Sequence, residues 1–176
     1  MKKRLTLLQM DVHVNDVEYN YNRVQELLTQ SLTENPDIIV LPETWNTGFH
    51  PSDDLITIAD RNGERTKSLL TTFAKEHNVN IVGGSVAVAK DDLVFNTSYA
   101  YNREGTLVGE YSKMHGFSPA KEDKYFANGT HTTHFKLDGI PCSTVICYDI
   151  RFPELVRMAA LPGTELLFVP AQWPTM

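Results

Sequence analysis

Residues 37–44 read Asp-Ile-Ile-Val-Leu-Pro-Glu-Thr, DIIVLPET. From Ile38 to Leu41 every side chain is apolar, with no polar alternation. That is the pattern of a strand buried on both faces, as in a parallel sheet covered by helices. Pro42 ends the run and Glu43 follows at once, at the carboxyl end of the strand, where open α/β sheets gather their chemistry. A solvated loop carboxylate is the plainer reading of Glu43 at this stage. Upstream, Val17, Tyr21, Val24, Leu28 and Leu32 recur at helical spacing, which predicts an amphipathic helix reaching about Glu34. Asn15 with Glu18 three residues on has the form of a capping box, and Asn35-Pro36 stops the helix. Residues 4–10, RLTLLQM, read as a first buried strand. Strand, helix, strand makes a β-α-β unit, so the fold class is α/β.

Downstream the pattern gains an antiparallel part. Residues 64–77 form a second helix, with Leu69, Leu70, Phe73, Ala74 and His77 on one face. His77 there suits the negative end of the helix dipole. Residues 79–88 contain a strand in which Gly83-Gly84 marks a bulge or a close backbone approach. Residues 94–101 and 106–111 flank a hairpin turn, and residues 132–137 and 140–147 flank a second one at Asp138-Gly139. A helix over 153–161 and a buried strand over 165–169 follow.

Bulk properties narrow the function. The 176 residues suffice for one domain with a real core, and 41% hydrophobic with 22% charged content is ordinary for a globular protein. The net charge of −6, with no basic run beyond Lys2-Lys3-Arg4, argues against nucleic acid and anionic membrane surfaces as partners. No apolar run approaches the roughly 20 residues of a membrane helix. Residues 5–10 are too short for a signal-peptide core. Cys142 and Cys147 lie five apart on one strand pattern, poorly placed to bridge, so reduced thiols and a cytoplasmic location are expected. The six histidines are scattered and no CxxC occurs, so no metal site is expected. GxSxG is absent.

Three further positions carry candidate chemistry. In STVICYDIRFPEL, residues 143–155, an apolar β-branched run breaks at Cys147, and Pro153 and Glu154 suit a helix start. A thiol at such a turn lies near backbone N–H groups that favour its thiolate. A small buried core cysteine is the alternative. Lys113 sits just past the first hairpin, flanked by Tyr111, Met114 and Phe117, where its ammonium can be held in a partly apolar site rather than in solvent. Residues 117–128 form a long loop of the kind that serves as a lid, and it carries Glu122. Trp45 and Phe49 are either pocket walls or loop packing.

LPETWNTGF around Glu43, YSKMHGF around Lys113 and ICYDIRFPEL around Cys147 stand in the order found in the nitrilase superfamily of carbon–nitrogen hydrolases. The resemblance runs from RLTLLQMDV to FVPAQWP, and the chain looks most like the ω-amidase branch, which acts on monoamides of dicarboxylic acids such as 2-oxoglutaramate. Gly116 departs from the leucine that relatives often carry there. The resemblance implies a four-layer αββα sandwich and a Glu-Lys-Cys triad of Glu43, Lys113 and Cys147. In that chemistry Glu43 is the base, Cys147 the nucleophile and Lys113 the positive charge for the oxyanion, with the Tyr148 N–H as second donor. Glu122 is implied to position Lys113 or the substrate. The implied reaction is hydrolysis of a small amide through a thioester, with ammonia release and no metal or organic cofactor. Arg151 is the nearest clamp for a substrate carboxylate, the alternative being an ion pair with Glu154. Phe117, Trp45 and Trp173 are candidate walls, and Cys142 is expected to be core. Family domains continue beyond QWP, so the expectation is a single hydrolase domain over 1–176, C-terminally truncated relative to the family, with the strand at 166–169 left without its neighbour. A homodimer or higher homo-oligomer is also implied. Nitrile or N-carbamoyl hydrolysis, and an inactive truncated member acting as a binding or assembly subunit, remain as alternatives.

Overall fold

The structure, a computed structural model, describes residues 2–49 and 51–173. In chain order the elements are β1 (Leu5–Leu7), α1 (Val17–Ser31), β2 (Ile38–Val40), α2 (Leu55–Ile58), β3 (Asp60–Arg61), α3 (Glu64–His77), β4 (Asn80–Val82), β5 (Val86–Lys90), β6 (Leu93–Tyr101) and β7 (Leu107–Ser112). Then come α4 (Glu122–Tyr125), β8 (Thr133–Leu137), β9 (Ile140–Thr144), α5 (Pro153–Ala160) and β10 (Leu166–Phe168), with 3-10 turns at Ser118–Ala120 and Cys147–Arg151. Pro174, which closes the QWP stretch, lies outside the described residues.

The strands form two sheets. In the larger, β1, β2 and β4 run parallel, and β6 pairs antiparallel with β4, β5 and β7 while β3 closes beside β5. In the smaller, β9 lies between antiparallel β8 and parallel β10. Helices α1 and α3 bury Tyr21, Val24, Leu28, Leu70 and Phe73 against Ile39, Leu41, Ile81 and Tyr99 of the larger sheet. The opposite face of that sheet, through Ile38, Val40, Val82 and Ala100, packs on Phe135, Leu137, Cys142 and Phe168 of the smaller one. Helix α5 covers the far side with Leu155 and Ala159 on Val145. Helices, sheet, sheet, helix: the α/β four-layer order is present, and Cys142 is core as expected. A fully buried Leu such as Leu28 or Leu70 contributes about 1.5–3 kcal/mol.

Several local expectations needed correction. Asp16, not Asn15, caps α1, accepting the Tyr19 N–H at 3.1 Å. Asn15 adopts φ +61° just outside the helix, and Glu18 points away to pair with Arg65. The run at residues 4–10 holds an edge strand, β1, with Leu5 and Leu7 exposed, because among the described residues β2 is its one partner in the sheet. The single strand expected at 79–88 is two, β4 and β5, separated by Gly83-Gly84-Ser85. The short α2 and β3 had no periodic signal. Asp60 of β3 nonetheless starts α3, accepting the Arg65 and Thr66 N–H groups at 3.1 and 2.8 Å at the positive end of the helix.

The break between β4 and β5 shapes the end of β2. Gly84 has φ +61°, and a Cβ there would stand 1.9 Å from the Pro42 carbonyl oxygen. That close approach lets the Ser85 N–H donate to Pro42 O and the Trp45 N–H donate to Ser85 O, while Ser85 Oγ accepts the Thr44 N–H. The loop carrying Glu43 is thereby fixed to the sheet on both sides. Among the described residues, no helix is long and apolar enough to cross a membrane.

Candidate active site

Glu43 leaves the end of β2 and turns inward, fully buried. Its Oε1 accepts from Lys113 Nζ at 2.9 Å and from Asn96 Nδ2 at 3.1 Å, and its Oε2 accepts the Gln172 N–H at 2.9 Å. Thr44, next in sequence, is held at φ +42° and donates its hydroxyl to Gln172 Oε1. Burial raises the Glu43 pKa; the Lys113 ammonium pulls it down and the neighbouring Glu122 pushes it up again. The net shift is upward, toward the range in which a carboxylate serves as a base.

Lys113 follows β7, its N–H donating to Asn96 O at 2.9 Å, which lays the side chain along the sheet toward Glu43. The side chain is 3% exposed, and its ammonium lies between two carboxylates. Glu122 takes it at both oxygens, 2.9 and 2.7 Å, and also accepts from Asn96 Nδ2 at 3.1 Å and from the Phe117 N–H at 2.7 Å. Burial by itself lowers the pKa of this lysine, but Glu43 and Glu122 outweigh it, so the group stays an ammonium. Glu122 touches Lys113, is 1% exposed and does not line the cavity beside Cys147.

Cys147 opens the turn after β9 with φ +45°, a left-handed backbone that non-glycine residues adopt at a cost. The Val145 N–H donates to Phe168 O and the Cys147 N–H to Pro170 O, so the sharp turn is fastened to the segment leaving β10. The thiol hydrogen-bonds the Glu43 carboxylate. Burial, followed by that carboxylate, pushes the thiol up to about 12. The expectation that the turn's N–H groups favour a resting thiolate is therefore corrected: desolvation and an adjacent anion dominate. The resting pair is a thiol beside a carboxylate that is placed to take its proton.

Cys147 forms part of the wall of a cavity of about 170 Å³, lined also by Phe49, Phe117, Tyr148, Arg151, Gln172 and Trp173. Phe117 packs edge-on against Tyr148 with ring centroids 5.0 Å apart. Arg151 is exposed, its guanidinium carbon 5.8 Å from the Tyr148 ring centroid and 5.2 Å from that of Trp173. Among the described residues it forms no ion pair, so the alternative pairing with Glu154 is not made and the cation is left facing the cavity rim. Trp45 is no wall. It is fully buried between sheet and helix, edge-on to Tyr21, with Nε1 donating to Gly83 O at 2.9 Å.

The structure therefore brings together Glu43, Lys113, Glu122, Cys147, Tyr148, Arg151, Phe117 and Trp173, drawn from both sheets. Sequence reading missed Asn96, whose amide bridges both carboxylates, Gln172, whose N–H holds Glu43, and Asp149, buried behind Cys147. The available signal was a polar Asn-Thr-Ser inside the apolar β6 and an aspartate inside a turn otherwise built to be buried. Among the described residues, no group of three or more His, Cys, Asp or Glu is arranged to hold a metal ion.

The chain is similar to several known proteins. A family model described as carbon–nitrogen hydrolase matches residues 4–176. The chain is 39% identical over 174 residues to 2-oxoglutaramate amidase of Bacillus subtilis (strain 168), covering 99% of this chain and 66% of that protein. It is 32% identical over 173 residues to a "Hydrolase in agr operon" of Staphylococcus aureus, covering 97% and 66%. In fold, it superposes on an amidase from Nesterenkonia sp. with a TM-score of 0.87 at 22% identity, covering 98% of this chain and 66% of the other. The chain thus spans just under two thirds of the length of these curated relatives.

Proposed function

From the premise that this chain belongs to the carbon–nitrogen hydrolase family, we propose that it hydrolyses the terminal amide of a small carboxylate-bearing monoamide of the 2-oxoglutaramate or succinamate type. One observation carries this reading. A Cys147 thiol, a Glu43 carboxylate and the Lys113 ammonium converge beside an aromatic cavity whose rim presents an unpaired Arg151. The 2-oxoglutaramate amidase of Bacillus subtilis supports the choice of substrate class.

Each step follows from the residues. Glu43 takes the Cys147 proton as the sulfur attacks the amide carbon, forming one C–S bond and placing the carbonyl electrons on oxygen. Lys113 and the Tyr148 N–H stabilise that oxyanion; one such donor is typically worth about two to three powers of ten in rate. On collapse the C–N bond breaks, and the proton held by Glu43 passes to the leaving nitrogen, which departs as ammonia. The thioester remains. Glu43, again a carboxylate, takes a proton from water as it attacks, and the acid product leaves with the thiol restored. Arg151 pairs with the distal carboxylate and so aligns the amide on Cys147. Phe117 and Trp173 form the apolar sides that hold the carbon chain.

The reading includes a cytoplasmic, reducing setting, supported by two free cysteines of which one must stay a thiol to react. It also includes a homo-oligomer, supported by Ile150, Met158 and Leu161, exposed apolar residues on and beside α5. Ammonia release from succinamate, 2-oxoglutaramate and butyramide, with wild type and Cys147→Ala, tests the function. Turnover of the first two, abolished in Cys147→Ala, is expected. Turnover of butyramide alone removes the carboxylate-bearing substrate, and activity surviving in Cys147→Ala removes the mechanism.

A further inference from the structure

Asp149 is fully buried behind the nucleophile and does not line the cavity. Its Oδ2 accepts the Ile146 N–H at 3.0 Å and the Tyr111 hydroxyl at 2.7 Å. Its Oδ1 accepts the His115 N–H at 2.9 Å and lies 2.9 Å from His115 Nδ1, and that ring stacks on Phe152 with centroids 3.6 Å apart. The Asp149 backbone closes the same turn, its N–H donating to Ile146 O and its carbonyl accepting the Phe152 N–H, both at 3.0 Å.

The identity of these partners matters more than their number. Ile146 immediately precedes Cys147, while Tyr111 and His115 stand two residues to either side of Lys113. One carboxylate therefore grips the strand end that bears the ammonium on both sides, and at the same time the turn that bears the thiol. The two come from different sheets, and beside this carboxylate they meet through apolar and ring contacts: Tyr111 and Met114 with Ile146 and Cys147, His115 on Phe152, and Phe117 on Tyr148. Apolar contact is non-directional. Charge-assisted hydrogen bonds are short and directional, and four of them to one rigid carboxylate fix a relative position.

We infer that Asp149 is a positioning residue that sets the aim of the Lys113 ammonium and the Cys147 sulfur toward each other, without touching the substrate. The inference deepens the amidase reading and uses its assay, but one of its tests needs no amide.

The test turns on donors that cannot reverse. In Asp149→Asn the new amide NH₂ must face either the Ile146 N–H or the His115 N–H. The Tyr111 hydroxyl and the His115 ring can exchange donor for acceptor, but a backbone N–H cannot, so one backbone tie is lost in either orientation. With the variant folded, kcat on succinamate should fall about tenfold to a hundredfold, the scale of a misplacement near 1 Å, with KM within about twofold. The double variant Tyr111→Phe/His115→Ala keeps both backbone ties and should lose about fivefold in kcat at unchanged KM. It decides the matter should Asp149→Asn not fold. Iodoacetamide capture of Cys147, followed by peptide mass mapping with Cys142 as the unreactive internal control, reads the aim of the thiol directly. It should slow about fivefold or more in both variants.

Wild type that hydrolyses no amide yet alkylates at Cys147 would remove the amidase reading and leave Asp149 to be judged by alkylation. Folded variants with wild-type kcat and wild-type alkylation would overturn the positioning role. So would a lowered melting temperature with both rates unchanged, or a change confined to KM.

Discussion

Glu122→Gln tests the charge arrangement of the site most severely, because it removes a charge while keeping nearly the same shape. Glu122 accepts four hydrogen bonds, two from Lys113 Nζ and one each from Asn96 Nδ2 and the Phe117 N–H. In the glutamine an NH₂ replaces one oxygen, and both positions face Lys113 plus one other donor. Two bonds are therefore lost whichever way the amide turns. Hydrogen bonds to charged groups are worth about 1.5–3 kcal/mol each, so the gross cost is about 3–6 kcal/mol. Removing one buried carboxylate also removes its desolvation penalty, and Lys113 keeps Glu43 as a counter-ion, which favours the lower end, about 3 kcal/mol. For a chain of this size that corresponds to a melting temperature lowered by about 6–12 °C. The same change acts on the base. Glu122 is one of the groups that hold the Glu43 pKa up, so its neutralisation lowers that pKa, and Glu43 stays ionised to lower pH. The acid limb of kcat/KM should therefore move to lower pH while kcat itself falls about tenfold or more, because the ammonium loses the clamp that aims it. Thermal melts and a pH–rate profile on succinamate read both effects. A variant that melts like wild type, or an acid limb that moves to higher pH, would refute the account of Lys113 between two carboxylates.

Arg151→Gln should lower kcat/KM for succinamate by about tenfold to thirtyfold, the worth of one charge-assisted contact at an exposed rim, and leave butyramide within about twofold; equal losses on both would remove the clamp. Gly84→Ala places a Cβ 1.9 Å from Pro42 O at a φ of +61°, and should cost more than about 3 kcal/mol in a urea melt, since backbone rather than a flexible side chain must move. Asp138 accepts Arg103 at both oxygens, 2.7 and 2.8 Å, and Lys3 Nζ at 2.7 Å. The Arg103 guanidinium foremost holds its carboxyl well below the usual carboxylate range. A depressed folded pKa means that the unfolded chain binds the proton first, so this stabilisation is complete above about pH 3.9 and fades as pH falls below it. Asp138→Asn should then cost about 1–2 kcal/mol at pH 7 and progressively less below pH 4, measured by urea melts at both.

What was legible in the sequence and what was not divides along the range of the interactions. The apolar run at 38–41 announces β2 because nothing but burial on both faces suits it, and Glu43 inherits its place from that strand. The run at 4–10 has the same character, yet β1 lies at the sheet edge with Leu7 68% exposed. A strand's hydrophobicity reports the faces it can cover, not the number of neighbours it finds. Trp45 illustrates the same limit. Its size and place after Glu43 suit a pocket wall, but the Gly83 carbonyl and Tyr21, brought in from elsewhere in the chain, claim it for the core. The polar Asn-Thr-Ser in β6 marked Asn96 as unusual but not its role, which lies in two carboxylates that reach it from separate loops.

The thiol of Cys147 is the sharpest case. Read locally, a cysteine entering a helical turn should be acidified by the N–H groups around it. In the assembled site burial and the Glu43 carboxylate act in the opposite direction and prevail. The reversal has a chemical use. A resting thiolate beside Glu43 would put two anions in one dry site, with Lys113 already shared between Glu43 and Glu122. In the proposed mechanism, keeping the proton on sulfur leaves Glu43 charged and ready, and leaves Lys113 available for the charge that develops on the substrate. On the same mechanism the pair therefore releases its nucleophile only as an electrophile arrives. It follows that the kcat/KM acid limb should report Glu43, lying above the free glutamate value of about 4.3, and that no thiol ionisation should appear near neutral pH. Ultraviolet titration of the thiolate in wild type against Cys147→Ala checks the second point, and a cysteine-dependent absorbance step between pH 6 and 8 would contradict it.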